Sequence, residues 1–195
     1  MPQIGDFETY NTVYNHSFEY KPEPITLIKT LIKNENDIVN LNLKIKLSKE
    51  EKYILNALFE HVPVIEKMKS NEEILSYFEK QLVHPKSNMD KSLNKTEAIE
   101  ILKYSGKSFL INEIKNMELK VFPFVYTDFL NHSFYDEATK ELKNLEYFTP
   151  INKIKYSYFI KDLKLKWIDS NFTMTKQDIF NLIDINYLKK YIKKK

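Results

Sequence analysis

At 195 residues, with 43% hydrophobic side chains that include 13 Phe and 13 Tyr, the chain is long enough for one domain or two small helical lobes and too apolar for general disorder. It has no cysteine, hence no disulfide framework or thiolate zinc site, and only two glycines, Gly5 and Gly106, which argues against phosphate-cradling loops, nucleophile elbows and dinucleotide fingerprints. The net charge of +3 rests on 30 basic residues that are all lysine, so any contact with nucleic acid would run through backbone phosphates, with strong salt dependence and little reading of bases.

Residues 1–24 are polar and turn-like, and they end in Lys21-Pro22-Glu23-Pro24, where the prolines forbid helix throughout. Asp6 and Glu8 with no apolar core predict neither a signal nor a transit peptide, so the chain is expected to be intracellular, with mitochondrion and cytoplasm both open. After Pro24, Ile25, Ile28, Leu31 and Ile32 share one helical face. Val39, Leu41, Leu43, Ile45 and Leu47 alternate as a strand would. Ile38, Leu41 and Ile45 fit a helix equally well and no partner strand lies near, so the stretch is read as helix.

Ser48-Lys49-Glu50-Glu51 is a capping box, followed by Ile54, Leu55, Leu58 and Val62 on one face, with Pro63 expected at that helix's end. Asn71-Glu72-Glu73 opens a helix with Ile74, Phe78 and Leu82 inward, closed by His84-Pro85 and followed by a polar loop over 85–93. Asn94 and Glu97 cap a helix carrying Ala98, Ile101 and Leu102, and Gly106 is placed to stop it. Helices at about 108–118 and 135–147 flank an apolar run, Val121 to Tyr126, broken by Pro123. Thr149-Pro150 precedes a long helix with Tyr156, Phe159, Ile160, Leu163 and Trp167 in register. Thr175 to Asp178 then caps a last helix running into Lys189 to Lys195. The expected fold is all-α, about eight helices, with no stretch approaching the ~20 apolar residues of a membrane span.

Catalytic chemistry is sparse. His16, His61, His84 and His132 stand apart without metal-ligand spacing and are expected as caps or surface residues. Glu35-Asn36-Asp37 superficially resembles paired Mg²⁺ carboxylates, but at a helix start the acids favour the positive end of the dipole. Tyr104, Tyr126, Tyr158, Phe159 and Trp167 could stack on bases, although their helical spacing favours core packing. Lys189 to Lys195 reads either as a phosphate contact or as a solvated tail.

Several stretches resemble one family. Lys21-Pro-Glu-Pro-Ile-Thr-Leu-Ile-Lys-Thr-Leu-Ile (21–32) with 37–52 resembles the segment in which eukaryotic mitochondrial-type CCA-adding tRNA nucleotidyltransferases pass from head and neck into a helical body. Thr96-Glu-Ala-Ile-Glu-Ile-Leu-Lys-Tyr-Ser-Gly-Lys (96–107) is similar to the body helix ending in Leu-Lys-Tyr-x-Gly, and Val121-Phe-Pro-Phe to the passage from body to tail. The resemblance extends over about residues 1–183, through Trp167 and the Thr175 cap, and covers that family's C-terminal half. It implies an N-terminal extended, neck-edge segment over 1–24, a helical body over 25–120 and a helical tail over 121–195.

In that family the body and tail hold tRNA while a polymerase-β-like head adds C, C and A. The head's Gly-Gly loop, Asp-x-Asp pair and arginine-bearing template are missing here, so this chain is expected to have no catalytic residues and no cofactor; Mg²⁺ and CTP or ATP would belong to the separate head. The implied partners are tRNA and a nucleotidyltransferase head, not DNA or membrane. The expected RNA contacts are Lys95, Lys103, Tyr104 and Lys107 at the end of the body helix, with Lys164, Lys166, Lys190 and Lys193 in the tail. The sequence departs from the family where the tail's Gly-x-Asp motif and a second glycine-bearing helix start should lie: Tyr126-Thr127-Asp128 and 131–139 keep the aspartate, lose the glycines and add Asp136-Glu137. A competing expectation is therefore a degenerate protein-interaction subunit that no longer binds tRNA, with an exposed apolar patch around Val121 to Tyr126.

Overall fold

The computed structural model describes residues 7–16, 20–83, 93–144 and 156–191. Among them every regular element is helical, with twelve α-helices, one 3₁₀ turn and no strand, so the all-α expectation holds. They fall into two compact units, one within 7–82 and 93–119, the other comprising residue 83, 120–144 and 156–191.

The first unit contains α1 (Phe7–His16), α2 (Pro24–Lys29), α3 (Glu35–Ile45), α4 (Lys49–Ile65), α5 (Asn71–Gln81), α6 (Lys95–Tyr104), a 3₁₀ turn (Ser108–Leu110) and α7 (Ile111–Asn116). The α4–α6 pair forms its centre, with α2 and α3 against α4 and α7 against α6. Leu55, Leu58, Ile65, Ile74, Phe78, Ile101, Leu102 and Ile111 are fully buried there, and each such side chain contributes about 1.5–3 kcal/mol of transfer free energy.

Residues 7–16, in the stretch expected to be turn-like and extended, instead form α1, which buries Val13 and packs on α2 and α6. Local signals fix most of these boundaries. At α3 the Asn34 side chain accepts from the Asp37 amide at 3.2 Å while the Asp37 carboxylate accepts from the amides of Asn34 and Lys33 at 3.2 and 3.0 Å. That reciprocal cap decides for helix over strand and gives the acids of 35–37 the dipole role expected of them. The face differs from expectation. Ile38 is buried, but Ile45 is 54% exposed, as are Val39 at 62% and Leu43 at 76%.

Pro63 lies inside α4, not at its end. Near the last turn a missing N–H removes a single ladder bond, and buried Val62 and Ile65 on either side hold the turn against the core. Gly106, at φ 68°, closes α6 with the paired bonds of a Schellman turn: Lys107 N–H to the Leu102 carbonyl at 2.8 Å, Gly106 N–H to the Lys103 carbonyl at 3.3 Å. The single helix expected over 108–118 is split into the 3₁₀ turn and α7, which together bury Leu110, Ile111 and Ile114.

The second unit contains α8 (Tyr126–Leu130), α9 (Ser133–Asn144), α10 (Tyr156–Asp169), α11 (Lys176–Asn181) and α12 (Ile185–Lys189). Its core is aromatic. Phe129 packs edge-on against Tyr135 and tilted against Phe159, both at 5.5 Å between centroids, and Phe122 lies 5.5 Å from Trp167. Thr175 caps α11 as expected, but the last helix is not continuous. The Asp184 carboxylate accepts from the Tyr187 amide at 2.6 Å and starts α12 as a new helix. The expected 85–93 loop, apart from buried Leu93, and the Thr149-Pro150 start signal lie outside the described residues.

Candidate nucleic-acid interface

The Lys21-Pro-Glu-Pro-Ile-Thr segment is stitched onto α6 by one carboxylate. Glu100, only 2% exposed, accepts from the Thr26 hydroxyl at 2.5 Å, from the Glu23 amide at 2.9 Å and from the Lys103 ammonium at 2.5 Å. Lys103 also donates to the Lys21 carbonyl at 2.8 Å, and the Tyr20 hydroxyl donates to Asn112 at 3.1 Å. Lys103 is thus buried, with its charge balanced inside the unit. Lys95 caps the end of α7, donating to the carbonyls of Lys115 and Met117 at 2.7 and 2.8 Å. Tyr104 is half-buried with the Lys29 ammonium 5.4 Å from its ring centre, and the same ammonium sits 3.9 Å from the Phe59 centroid. Burial holds the Lys29 pKa below the ordinary lysine value, partly offset by Glu66. Lys107 is half-buried just beyond the Gly106 turn.

Of the lysines expected on the tail, Lys164 is buried in α10, Lys193 lies outside the described residues, and Lys166 and Lys190 are exposed. The exposed two converge on one ring: their ammonium groups lie 5.9 and 5.0 Å from the Tyr187 centroid. The hydroxyls of Tyr187 and Tyr191 both donate to one oxygen of Asp162, at 2.5 and 2.7 Å. These bonds, the Tyr187 one foremost, with help from both lysines, hold the Asp162 pKa below the usual carboxylate value. Burial and the same carboxylate push the Tyr191 phenol up to about 12, and Tyr187 further. Asp162, Tyr187 and Tyr191 were not among the expected site residues. Their signal is the pair of four-residue spacings, Asp162/Lys166 on α10 and Tyr187/Tyr191 running from α12 to just past its end.

The stretch where the family's glycine motifs would lie is filled from within. The Asp128 carboxylate caps α8 by accepting from the Val125 amide at 2.9 Å, and it pairs with Lys176 at 2.6 Å. At the start of α9 the His132 Nδ1 accepts from the Phe134 amide at 3.2 Å, and its ring stacks on Phe180 at 4.3 Å. His132 is therefore a cap, as expected. Asp136 and Glu137 are exposed in the opening turns of α9, where negative charge suits the dipole. His61 departs from the expectation of a cap or surface residue: it is buried, with Nδ1 2.6 Å from the Tyr77 hydroxyl, because its place on α4 faces the core. The side chains of His16 and His84 lie outside the described residues.

Phe159 and Trp167 are buried core residues and Tyr126 is half-buried, whereas Tyr158 is 62% exposed. The apolar patch expected at Val121 to Tyr126 is largely absent, since Phe122 and Phe124 are buried and only Val121 is markedly exposed. Among the described residues no three His, Asp or Glu side chains gather to hold a metal, and no helix is long and apolar enough to cross a membrane.

No family model matches the chain. It is 28% identical over 124 residues to CCA tRNA nucleotidyltransferase 1, mitochondrial, of Mus musculus, covering 63% of this chain and 27% of that protein. The Homo sapiens protein of the same name is 26% identical over the same length and shares. The Danio rerio protein is 20% identical over 183 residues, 94% of this chain. The chain is thus distantly similar to mitochondrial CCA tRNA nucleotidyltransferases and spans only 27–38% of their length.

Proposed function

We propose that this chain is a non-catalytic, tRNA-binding half of a CCA-adding system, holding tRNA while a nucleotidyltransferase head, in trans or elsewhere in a longer protein, extends the 3′ end. The observation that carries this reading is the similarity to CCA tRNA nucleotidyltransferases along 94% of the chain. Mg²⁺ and the nucleotides belong, on this reading, to the head. The lysine-only basic complement supports contact through phosphates. Lys107, Lys166 and Lys190 make direct contacts with RNA, with Lys193 beyond them. Lys95 and Lys103 act from within the first unit, fixing the segments they bond to, with Tyr104 packed against Lys29, and Lys164 is buried in the second.

The test is titration of the purified chain with a tRNA transcript across a series of salt concentrations. The expected result is a Kd in the micromolar range or weaker that rises steeply with salt, as on the order of several lysine–phosphate contacts are lost. Binding indifferent to salt, or none at low salt, refutes the proposal.

A second reading has its own observation. Val39, Leu43 and Ile45 leave α3 unusually apolar towards solvent, which suits a protein-interaction subunit derived from the same family. It predicts that a native pull-down retains a protein partner and no tRNA, and that charged substitutions at Val39 and Leu43 release that partner.

A further inference from the structure

The geometry points to a discrete phosphate-docking site in the second unit, formed by Lys166 and Lys190 beside the Tyr187 ring, with RNA backbone phosphate as its ligand. This rests on the tRNA-binding proposal and narrows it to one place. The two lysines come from different helical segments, α10 and the end of α12, yet both ammonium groups lie within 5.9 Å of the same ring centre. Both side chains are exposed, so an anion can reach them. The ring is fixed, because Tyr187 is itself buried and its hydroxyl is held by Asp162, which also takes the Tyr191 hydroxyl.

The arrangement addresses the weakness of lysine as a phosphate ligand. A free lysine loses considerable rotamer entropy when it is immobilised on an anion. One that already rests against an aromatic face has lost part of that freedom in the folded protein, so less is lost on binding. Asp162 does not cancel the site. Two phenolic hydroxyls satisfy one of its oxygens, and its single charge faces two lysines. No side chain in the cluster presents a set of donors and acceptors fitted to one base, so the site takes phosphate without regard to sequence.

The experiment is fluorescence-anisotropy titration of the full chain with a tRNA transcript, and with an unrelated RNA hairpin, over a salt series. Wild type is compared with K166A/K190A, K166R/K190R and Y187L, each checked for an unchanged helical circular dichroism spectrum. The alanine pair is expected to lose at least about tenfold in affinity for both RNAs at low salt and to lower the slope of log K against log salt by roughly one to two. The arginine pair retains wild-type affinity, and Y187L loses part of it although both charges remain. Wild-type binding with an unaltered affinity and slope in K166A/K190A overturns this site and leaves the tRNA-binding proposal standing. Absence of binding by wild type overturns both. A loss confined to tRNA, with the hairpin unaffected, overturns the sequence-indifferent site.

Discussion

Removal of the Glu100 carboxylate is the most demanding test of the first unit. In a Glu100→Leu variant the Thr26 hydroxyl, the Glu23 amide and the Lys103 ammonium lose a common acceptor at a site that is 2% exposed. Breaking one side of a buried ion pair costs about 3–5 kcal/mol, since the remaining charge is stranded away from water. Lys103 keeps only the Lys21 carbonyl, a neutral partner. The orphaned hydroxyl and amide are part of the same loss and are not added to it. At about 4–8 °C per kcal/mol for a domain of this size, the Tm of the first unit falls by more than about 10 °C. Calorimetry measures this, and hydrogen exchange at the Glu23 amide reports whether the loss is local. The companion variant is E100L/K103M. Replacing both charges by apolar side chains is often neutral or stabilising, so most of the loss returns. A single variant that melts within about 1 kcal/mol of wild type, or a double variant no better than the single, refutes the reasoning.

Three further outcomes follow from particular residues. Burial lowers the His61 pKa below its unfolded value of about 6.5, with Glu60 only partly offsetting it, so the unfolded state binds the proton first. Its contribution is complete above about pH 6.5 and is lost as the pH falls through the folded pKa, and His61→Gln flattens Tm against pH in that window. Gly106→Ala forces a Cβ into the left-handed region at φ 68° and costs about 1–2 kcal/mol, with Gly106→Asn milder, as chemical denaturation will show. Phe129→Ala empties the centre of the aromatic cluster in the second unit and costs about 3–5 kcal/mol, read as loss of that unit's calorimetric transition while the first persists.

What could be read from the sequence was whatever depends on a few neighbouring residues. The reciprocal caps at Ser48/Glu51, Asn94/Glu97 and Thr175/Asp178 form as their spacing requires, and so does the Gly106 stop. Sequence and structure part where a local signal competes with packing. Pro63 reads as a terminator, but the buried residues around it carry α4 one further half-turn. At Asp184 the apolar spacing continues across the cap and masks the break between α11 and α12. The candidate site was the least legible part. Which lysines are spent on carbonyls and carboxylates of the fold, and which stand in solvent, depends on pairings such as Lys103 with Lys21, 82 residues apart in sequence. No short motif encodes those distances.

The Glu100 hub also has a mechanical meaning. Four bonds, from Tyr20, Glu23, Thr26 and Lys103, fasten the strip from Tyr20 to Thr26 along the unit, and two prolines stiffen it between the fastenings. Such a strip is a splint, not a hinge. A displacement of the chain arriving at Tyr20 is passed to α6 as a whole-body movement instead of being absorbed in the strip.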